Sequence, residues 1–202
     1  MRDNILTDFF KRQINEHSEI VNRCSLNLID SFVDVVKICS KSLKMKKKIL
    51  IFGNGGSAAD AQHLSTEFTV RFSENRKALA SMSLATDTSA LTAIGNDFGF
   101  NFIFSRQIEA LGQAGDVAIG ISTSGKSKNI ILGLQEAKKI GMKCITFTGK
   151  YTNSLKRYSD AIISIPADNT SRIQEMHIMI GQMVCNAVES DLGLAPFVKE
   201  KL

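Results

Sequence analysis

The sequence predicts a three-layer α/β/α fold around a five-stranded parallel sheet, and three observations carry that expectation. Five short, largely apolar runs recur along the chain: KILIFG at 48–53, LASMSL at 79–84, DVAIGIS at 116–122, KCITFT at 143–148 and AIISI at 161–165. Runs of this length and apolar continuity suit strands covered on both faces. Stretches with helical spacing separate them, at 57–71, 87–95, 101–111, 128–140 and 171–190. Such alternation implies right-handed crossovers that lay helices on both sides of a parallel sheet. Thirdly, the first and third runs end in small, hydroxyl-bearing turns, GNGGS and STSGKS. Open parallel sheets bind ligands beyond the carboxyl ends of their strands.

Ahead of the sheet, residues 4–45 place Ile5, Phe9, Ile14, Ile20 and Val21, then Leu28, Phe32, Val35, Val36 and Leu43, at helical intervals. They read as two helices meeting near Asn22 to Ser25. KSLKMKKK at 41–48 holds much of the formal charge of +5. Lysines at a helix C-terminus complement its dipole, and this run lacks interleaved aromatics for stacking on bases. A solvated helix end is therefore expected, with no nucleic-acid partner.

The first strand leads into Gly53-Asn54-Gly55-Gly56-Ser57 and the third into Ser122-Thr123-Ser124-Gly125-Lys126-Ser127. Backbone N–H groups and the helix dipole make such a turn an anion site. Either turn alone also suits a tight connection with a serine N-cap. Two on one sheet edge favour a phosphorylated small molecule. Gly120 to Ser127, GISTSGKS, also matches the P-loop pattern GxxxxGK[ST]. However, Gly120 falls inside an apolar run, and KCITFTG ends without the acidic residue of a magnesium site. No nucleotide is expected. His63 and Glu67 follow the first turn four residues apart and share a helix face. By spacing alone they are as readily a surface or cap pair as a pair of ligands.

Composition narrows the class without naming a function. The chain has 202 residues, 44% hydrophobic and 22% charged, which suits one domain over 1–202 with a substantial core. No domain boundary and no internal repeat is visible. No apolar run approaches the ~20 residues that span a bilayer, so no membrane partner is expected. The N-terminal stretch lacks a signal-peptide core. Cys24, Cys39, Cys144 and Cys185 are scattered without a CxxC pair and read as reduced core cysteines of a cytoplasmic protein.

GNGGSAADAQH, the AIGND at 93–97, GISTSGKS and the RIQEMH at 172–177, taken together, resemble the sugar isomerase (SIS) fold, and more narrowly the bacterial phosphoheptose isomerases. The resemblance covers nearly the whole chain, with four motifs in order. It implies flavodoxin-like winding, N-terminal oligomerisation helices over 1–46, and a homotetramer with active sites at subunit interfaces. It implies interconversion of sedoheptulose 7-phosphate and D-glycero-D-manno-heptose 7-phosphate through an enediol, at the entry to activated heptoses of lipopolysaccharide or capsule. Ser122, Thr123, Ser124 and Ser127 would hold the phosphate. Asn54, Gly55, Gly56, Ser57, Asn96 and Asp97 would line the sugar site with Glu67 and Gln174. His63, Glu67 and Gln174 would form a zinc site, and Glu67 would also be an acid/base.

One position departs from the family pattern. Eight residues after the RIQ glutamine, where the family has a histidine acting as metal ligand and acid/base, this chain has Gln182. Glutamine cannot transfer a proton near neutral pH and is a far poorer zinc ligand than imidazole. His177 points to another side of the helix. Gln182 is accordingly expected to face a site built mainly by another chain, with the 171–190 helix and the two N-terminal helices making the subunit contacts. The rival class is a non-catalytic tetrameric binding protein of the replication-initiator-associating type, which lacks both the glutamate at the Glu67 position and the histidine at the Gln182 position. This chain keeps the first marker.

Overall fold

Strands buried on both faces must send alternate side chains into two separate apolar layers, and the five runs do this. The structure, a computed structural model, describes residues 2–196; residue 1 and residues 197–202 of the expected 1–202 unit lie outside the described residues. Two long helices, α1 (Arg2–Asn27) and α2 (Ile29–Lys44), precede β1 (Ile49–Gly53) and α3 (Gly56–Thr69). Then come β2 (Ser81–Ser83), α4 (Thr88–Asp97), α5 (Ser105–Leu111), β3 (Val117–Ser122) and α6 (Lys128–Ile140). The chain continues through β4 (Lys143–Thr148) and β5 (Ala161–Ser164) to α7 (Thr170–Asp191). All pairings are parallel, in the order β2-β1-β3-β4-β5. The expected architecture and winding are therefore present.

Along β1, Ile49 and Ile51 join one core with residues of α1, α2, α3 and α7, among them Val35, Phe68, Met176 and Val188. Leu50 and Phe52 join the other, against Phe104 at the start of α5, Ile108 of α5, and Ile130 and Leu134 of α6. This division makes the three layers. Gly120 lies mid-strand, paired with Phe52 and Thr146. It does not begin a loop, so the P-loop letters lack P-loop structure. Among the described residues no helix is long and apolar enough to cross a membrane. All four cysteines are free and buried.

The junction of the first two helices lies at Leu28, beyond the expected Asn22–Ser25. The polar stretch does not interrupt α1, because Ser25 Oγ bonds back to the Asn22 carbonyl at 2.8 Å. The ladder continues through Leu28 N–H to Cys24 O (3.0 Å) and Phe32 N–H to Leu28 O (2.8 Å). The chain departs from helical geometry at Leu28, whose φ of −111° and ψ of 2° let its side chain enter the core. The lysine run closes α2 as expected, with Lys41 and Lys44 in its last turn and Lys44 paired to Asp191.

His177 of α7 shows what burial does to a titratable group. Its ring is fully buried, edge-on to Phe147, with Nε2 3.1 Å from the Thr148 carbonyl. A carbonyl only accepts, so Nε2 carries the proton and Nδ1 is left without a partner among the described residues. Burial lowers the pKa to about 4, the Thr148 bond opposing the shift. An unfolded histidine titrates near ~6.5, so below that the unfolded chain binds the extra proton first. The neutral ring's contribution is therefore whole above pH ~6.5 and is lost as pH falls toward ~4. His177→Gln keeps a donor and removes the titration. Urea unfolding at pH 7 and pH 4 should show the wild type losing about 3 kcal/mol more than this variant.

Candidate active site

In the observed order the sheet winds one way from β1 and the other way from β3, so the crevice between these neighbours is the topological switch point. Both hydroxyl-bearing turns leave from it. Gly55 has φ +56° and ψ −123°, backbone that a side chain resists, and α3 starts at the next residue. In the second turn Gly125 has φ +65°, and its N–H bonds the Ser122 carbonyl at 3.1 Å. Ser154 Oγ donates to Gly125 O at 2.5 Å, bracing the loop after β4 against this turn. Asn54 and Asn129 tie the two turns together by exchanging amide hydrogen bonds of 2.9 and 2.8 Å.

Side-chain capping varies along the chain, and α2 and α5 lack it as well as the two helices of this crevice. Asp87 caps α4 and Asn169 caps α7 with side-chain oxygens. No side chain caps α3 or α6. Ser127, at the N-cap of α6, instead bonds Ser122 Oγ at 3.1 Å, and Ser124 Oγ accepts from Lys126 N–H at 3.2 Å. Ser57 N–H bonds Asn54 O (3.0 Å), Ala58 N–H bonds Gly55 O (3.0 Å) and Ile130 N–H bonds Asn129 Oδ1 (3.0 Å), so an oxyanion at these two helix starts would meet the N–H groups ahead of them. Beside the second turn a hollow of about 180 Å³ is lined by Thr123, Ser124, Lys126, Lys150, Tyr151 and Thr170. The Lys126 ammonium lies 4.7 Å from the centre of the Tyr151 ring.

Further along α3, His63 Nε2 lies 3.0 Å from Glu67 Oε1 and 3.4 Å from the Gln182 side-chain amide. One ring nitrogen cannot both donate to the carboxylate and accept from an amide. The shorter, charge-assisted contact decides, so His63 Nε2–H donates to Glu67 and the Gln182 amide lies beside them. Asp60, one turn before His63, is half-buried; burial raises its carboxyl to about 6, with the His63 charge pulling it down. Its Oδ2 has no partner among the described residues.

This geometry corrects two expectations. Gln182 reaches His63 of its own chain, so it does not depend on another chain to meet the cluster. Gln174 does not join His63 and Glu67; its amide sits over Gly56, where an added Cβ would meet Gln174 Cδ at 3.0 Å. The arrangement follows from two helices running side by side in one direction. Gln174 to Gln182 is ~12 Å of axial rise and Gly56 to His63 ~10.5 Å, so each glutamine meets a different level of α3. Ser57 is buried at the root of α3, its N–H bonded to Asn54 O at 3.0 Å. Asn96 and Asp97 bond each other at 2.8 Å and lie exposed at the end of α4. No hydrogen bond among the described residues brings them to either turn.

The sequence reading passed over Asn129, Asp60, and the buried pair Arg76–Glu189, which holds the end of α3 against α7. A glutamate inside the apolar stretch of the last helix was the available signal for that pair. As for zinc, His63 and Glu67 are common ligands, but the third convergent group is an amide. Among the described residues no three His, Cys, Asp or Glu side chains group as a metal site. The residues present do not fit a tightly held zinc ion.

Residues 13–149 match the SIS domain family. A phosphoheptose isomerase of Paramagnetospirillum magneticum is 48% identical over 182 residues, 90% of this chain and 95% of that protein. Phosphoheptose isomerase 1 of Campylobacter jejuni is 46% identical over 184 residues, 91% of this chain and 98% of that one. Among solved structures, phosphoheptose isomerase GmhA from Neisseria gonorrhoeae superposes with a TM-score of 0.87 at 39% identity, covering 92% of this chain and 99% of that one. The family match spans more than half of the sequence and these relatives span nine tenths of it; the chain belongs to the SIS domain family.

Proposed function

We propose that this protein is a phosphoheptose isomerase, interconverting sedoheptulose 7-phosphate and D-glycero-D-manno-heptose 7-phosphate through an enediol. The observation that carries this reading is the spacing between two helix starts without side-chain caps and the His63–Glu67 pair ~10–16 Å down α3. The substrate has the same polarity, with its phosphate on C7 and its reacting carbons, C1 and C2, at the other end. Ser122, Thr123, Ser124 and Ser127 hold the phosphate with backbone N–H groups of α6. Asn54, Gly55, Gly56 and Gln174 line the chain of hydroxyls, with Ser57 bracing their turn. Glu67 is the base that moves the proton between C1 and C2, and the Gln182 amide donates a hydrogen bond to oxygen. The names and identity of the relatives, together with Glu67 being kept, weigh against a non-catalytic binding protein. The pathway served is activated-heptose synthesis for lipopolysaccharide or capsule. The cell compartment is the cytoplasm, in keeping with four free buried thiols.

The assembly we propose is a homotetramer. Ile5, Leu6, Phe9, Phe10 and Ile14 are exposed along α1, and Met183 of α7 is exposed near the apolar groove between the α1–α2 junction and α7. Faces of this kind fit burial against further copies. Asn96 and Asp97, exposed and with no hydrogen bond to the turns among the described residues, would then serve a neighbouring site.

Three measurements test these proposals. Incubation with sedoheptulose 7-phosphate, followed by product NMR, should show the heptose, and Glu67→Gln should lower the rate by ~10²–10⁴-fold. A variant keeping most of its kcat would remove Glu67 from the role of base. Gln182→His adds an imidazole beside His63 and Glu67, and calorimetry should find at least ~10-fold tighter zinc binding than in the wild type. Light scattering should give four chains at assay concentration; a fully active monomer would end the tetramer proposal.

A further inference from the structure

We propose that Arg76 and Glu189 are positioning residues for the reaction: a buried ion pair that closes the last turn of α3 and fixes where Glu67 stands against α7. The inference rests on the reading of Glu67 as the base.

Helix α3 ends without a glycine cap. Its C-cap is Val70, with φ −95° and ψ −81°, so the last carbonyls need donors from elsewhere. Leu79 N–H reaches the Phe68 carbonyl at 3.1 Å, and Arg76 supplies further donors. Its Nη2 donates to the Glu67 carbonyl at 2.8 Å and its Nη1 to the Phe68 carbonyl at 2.7 Å. The residue whose backbone is held is therefore the proposed base itself. Only a guanidinium offers a rigid fork of donors able to take two successive carbonyls and a carboxylate at once.

Glu189 fixes the arginine in turn. Its carboxylate accepts from Arg76 Nε at 2.6 Å, and the same oxygen lies 2.5 Å from Nη2 as an ion-pair contact. It also accepts from the N–H groups of Phe72 (2.8 Å) and Ser73 (3.4 Å), which orders the chain leaving α3. The side chains are 2% and 0% exposed, so water cannot replace any of these bonds. Glu189 follows Gln182 by seven residues, two turns along the same face of α7. Helix α7 thus meets α3 at two levels: Gln182 lies beside His63, and Glu189 acts through Arg76 on the Glu67 backbone. Cys185 lies between these levels on α7. Burial first, then charges including those of Glu67 and Glu189, push its thiol well above the usual range, with Arg76 opposing.

A helix's last turn frays readily when its carbonyls lack partners, and a displacement of ~1 Å at a reacting group can cost ~10²-fold in rate. The pair therefore acts on turnover through Glu67 and leaves the phosphate turns, at the other end of α3, undisturbed.

The experiment is a double-mutant cycle on the full chain with sedoheptulose 7-phosphate. Arg76→Met and Glu189→Gln should each lower kcat by ~10–10²-fold with KM within about threefold, and Arg76→Lys should recover part of the loss. In a Glu67→Gln background the same substitutions should change kcat less than about threefold. Equal losses in both backgrounds, or a rise in KM with kcat unchanged, would overturn the proposal and leave the pair a plain stabiliser. If Arg76→Met does not fold, the two conservative variants carry the same cycle. Amide hydrogen exchange at residues 66–70 is measured in parallel on Arg76→Lys. An inert wild type would sink the isomerase reading alone, and the clamp is then judged by this exchange: faster exchange confined to that turn upholds it, and unchanged exchange overturns it.

Discussion

The closeness of α7 to α3 is the constraint on which the rest of the candidate site depends, and it is set at Gly181. A Cβ there would fall 2.6 and 2.8 Å from the two methyl carbons of Leu64, so a side chain at 181 would require the Leu64 side chain to shift from its place between the helices. Gly181 and Leu64 are the immediate neighbours of Gln182 and His63. The contact between those two polar residues is thus a consequence of apolar packing one position away. The same approach brings Glu189 within reach of Arg76 and seats Gln174 over the first turn of α3. Close-packed interiors feel small volume changes, and a methyl group at 181 would be felt first by Leu64, next to His63.

The other end of α3 obeys a different constraint. Parallel strands leave helix N-termini along one edge of the sheet, and at the switch point two of them open side by side. Capping either with its own side chain would stabilise that helix and occupy the donors an anion needs. The chain caps α4 and α7 with side chains; at α3 and α6 it uses no such cap, and Ser57, Ala58 and Ile130 N–H groups find partners within the turns, leaving those ahead of them for an anion. The amide pair between Asn54 and Asn129 supplies the order a cap would have given, by fastening one turn to the other.

What could be read from the sequence divides along the same physical lines. Strand and helix positions were legible because burial on two faces and helical spacing leave periodic traces, and the two turns because glycine and serine cluster there. The helix junction was misplaced because Ser25 satisfies itself by bonding back to Asn22, so polar residues that look like a break do not make one. The levels at which Gln174 and Gln182 meet α3 could not be read at all. They depend on the lateral register of two helices separated by about a hundred residues of sequence, set by contacts such as Leu64 on Gly181. Arg76 was hidden for a related reason: an arginine in a polar loop looks solvated until the fold supplies the buried carboxylate that draws it inward.

The glutamine at 182 is less damaging to an isomerase than the loss of an acid/base first suggests. Transfer between C1 and C2 of a cis-enediol takes place on one face of one plane. A single carboxylate can therefore remove the proton from one carbon and return it to the other. On this reading Glu67 suffices for the carbon chemistry, and what the chain has lost concerns the oxygens. There the requirement is a hydrogen bond to developing charge more than a full transfer, and a preorganised amide N–H can meet it. The α3–α7 contact contributes to this by placing the Gln182 amide beside His63 and Glu67 within one chain before any substrate arrives. A rigid amide in that position favours the enediol by fixed dipole, and leaves the hydroxyl protons to exchange with the substrate's own oxygens or with water.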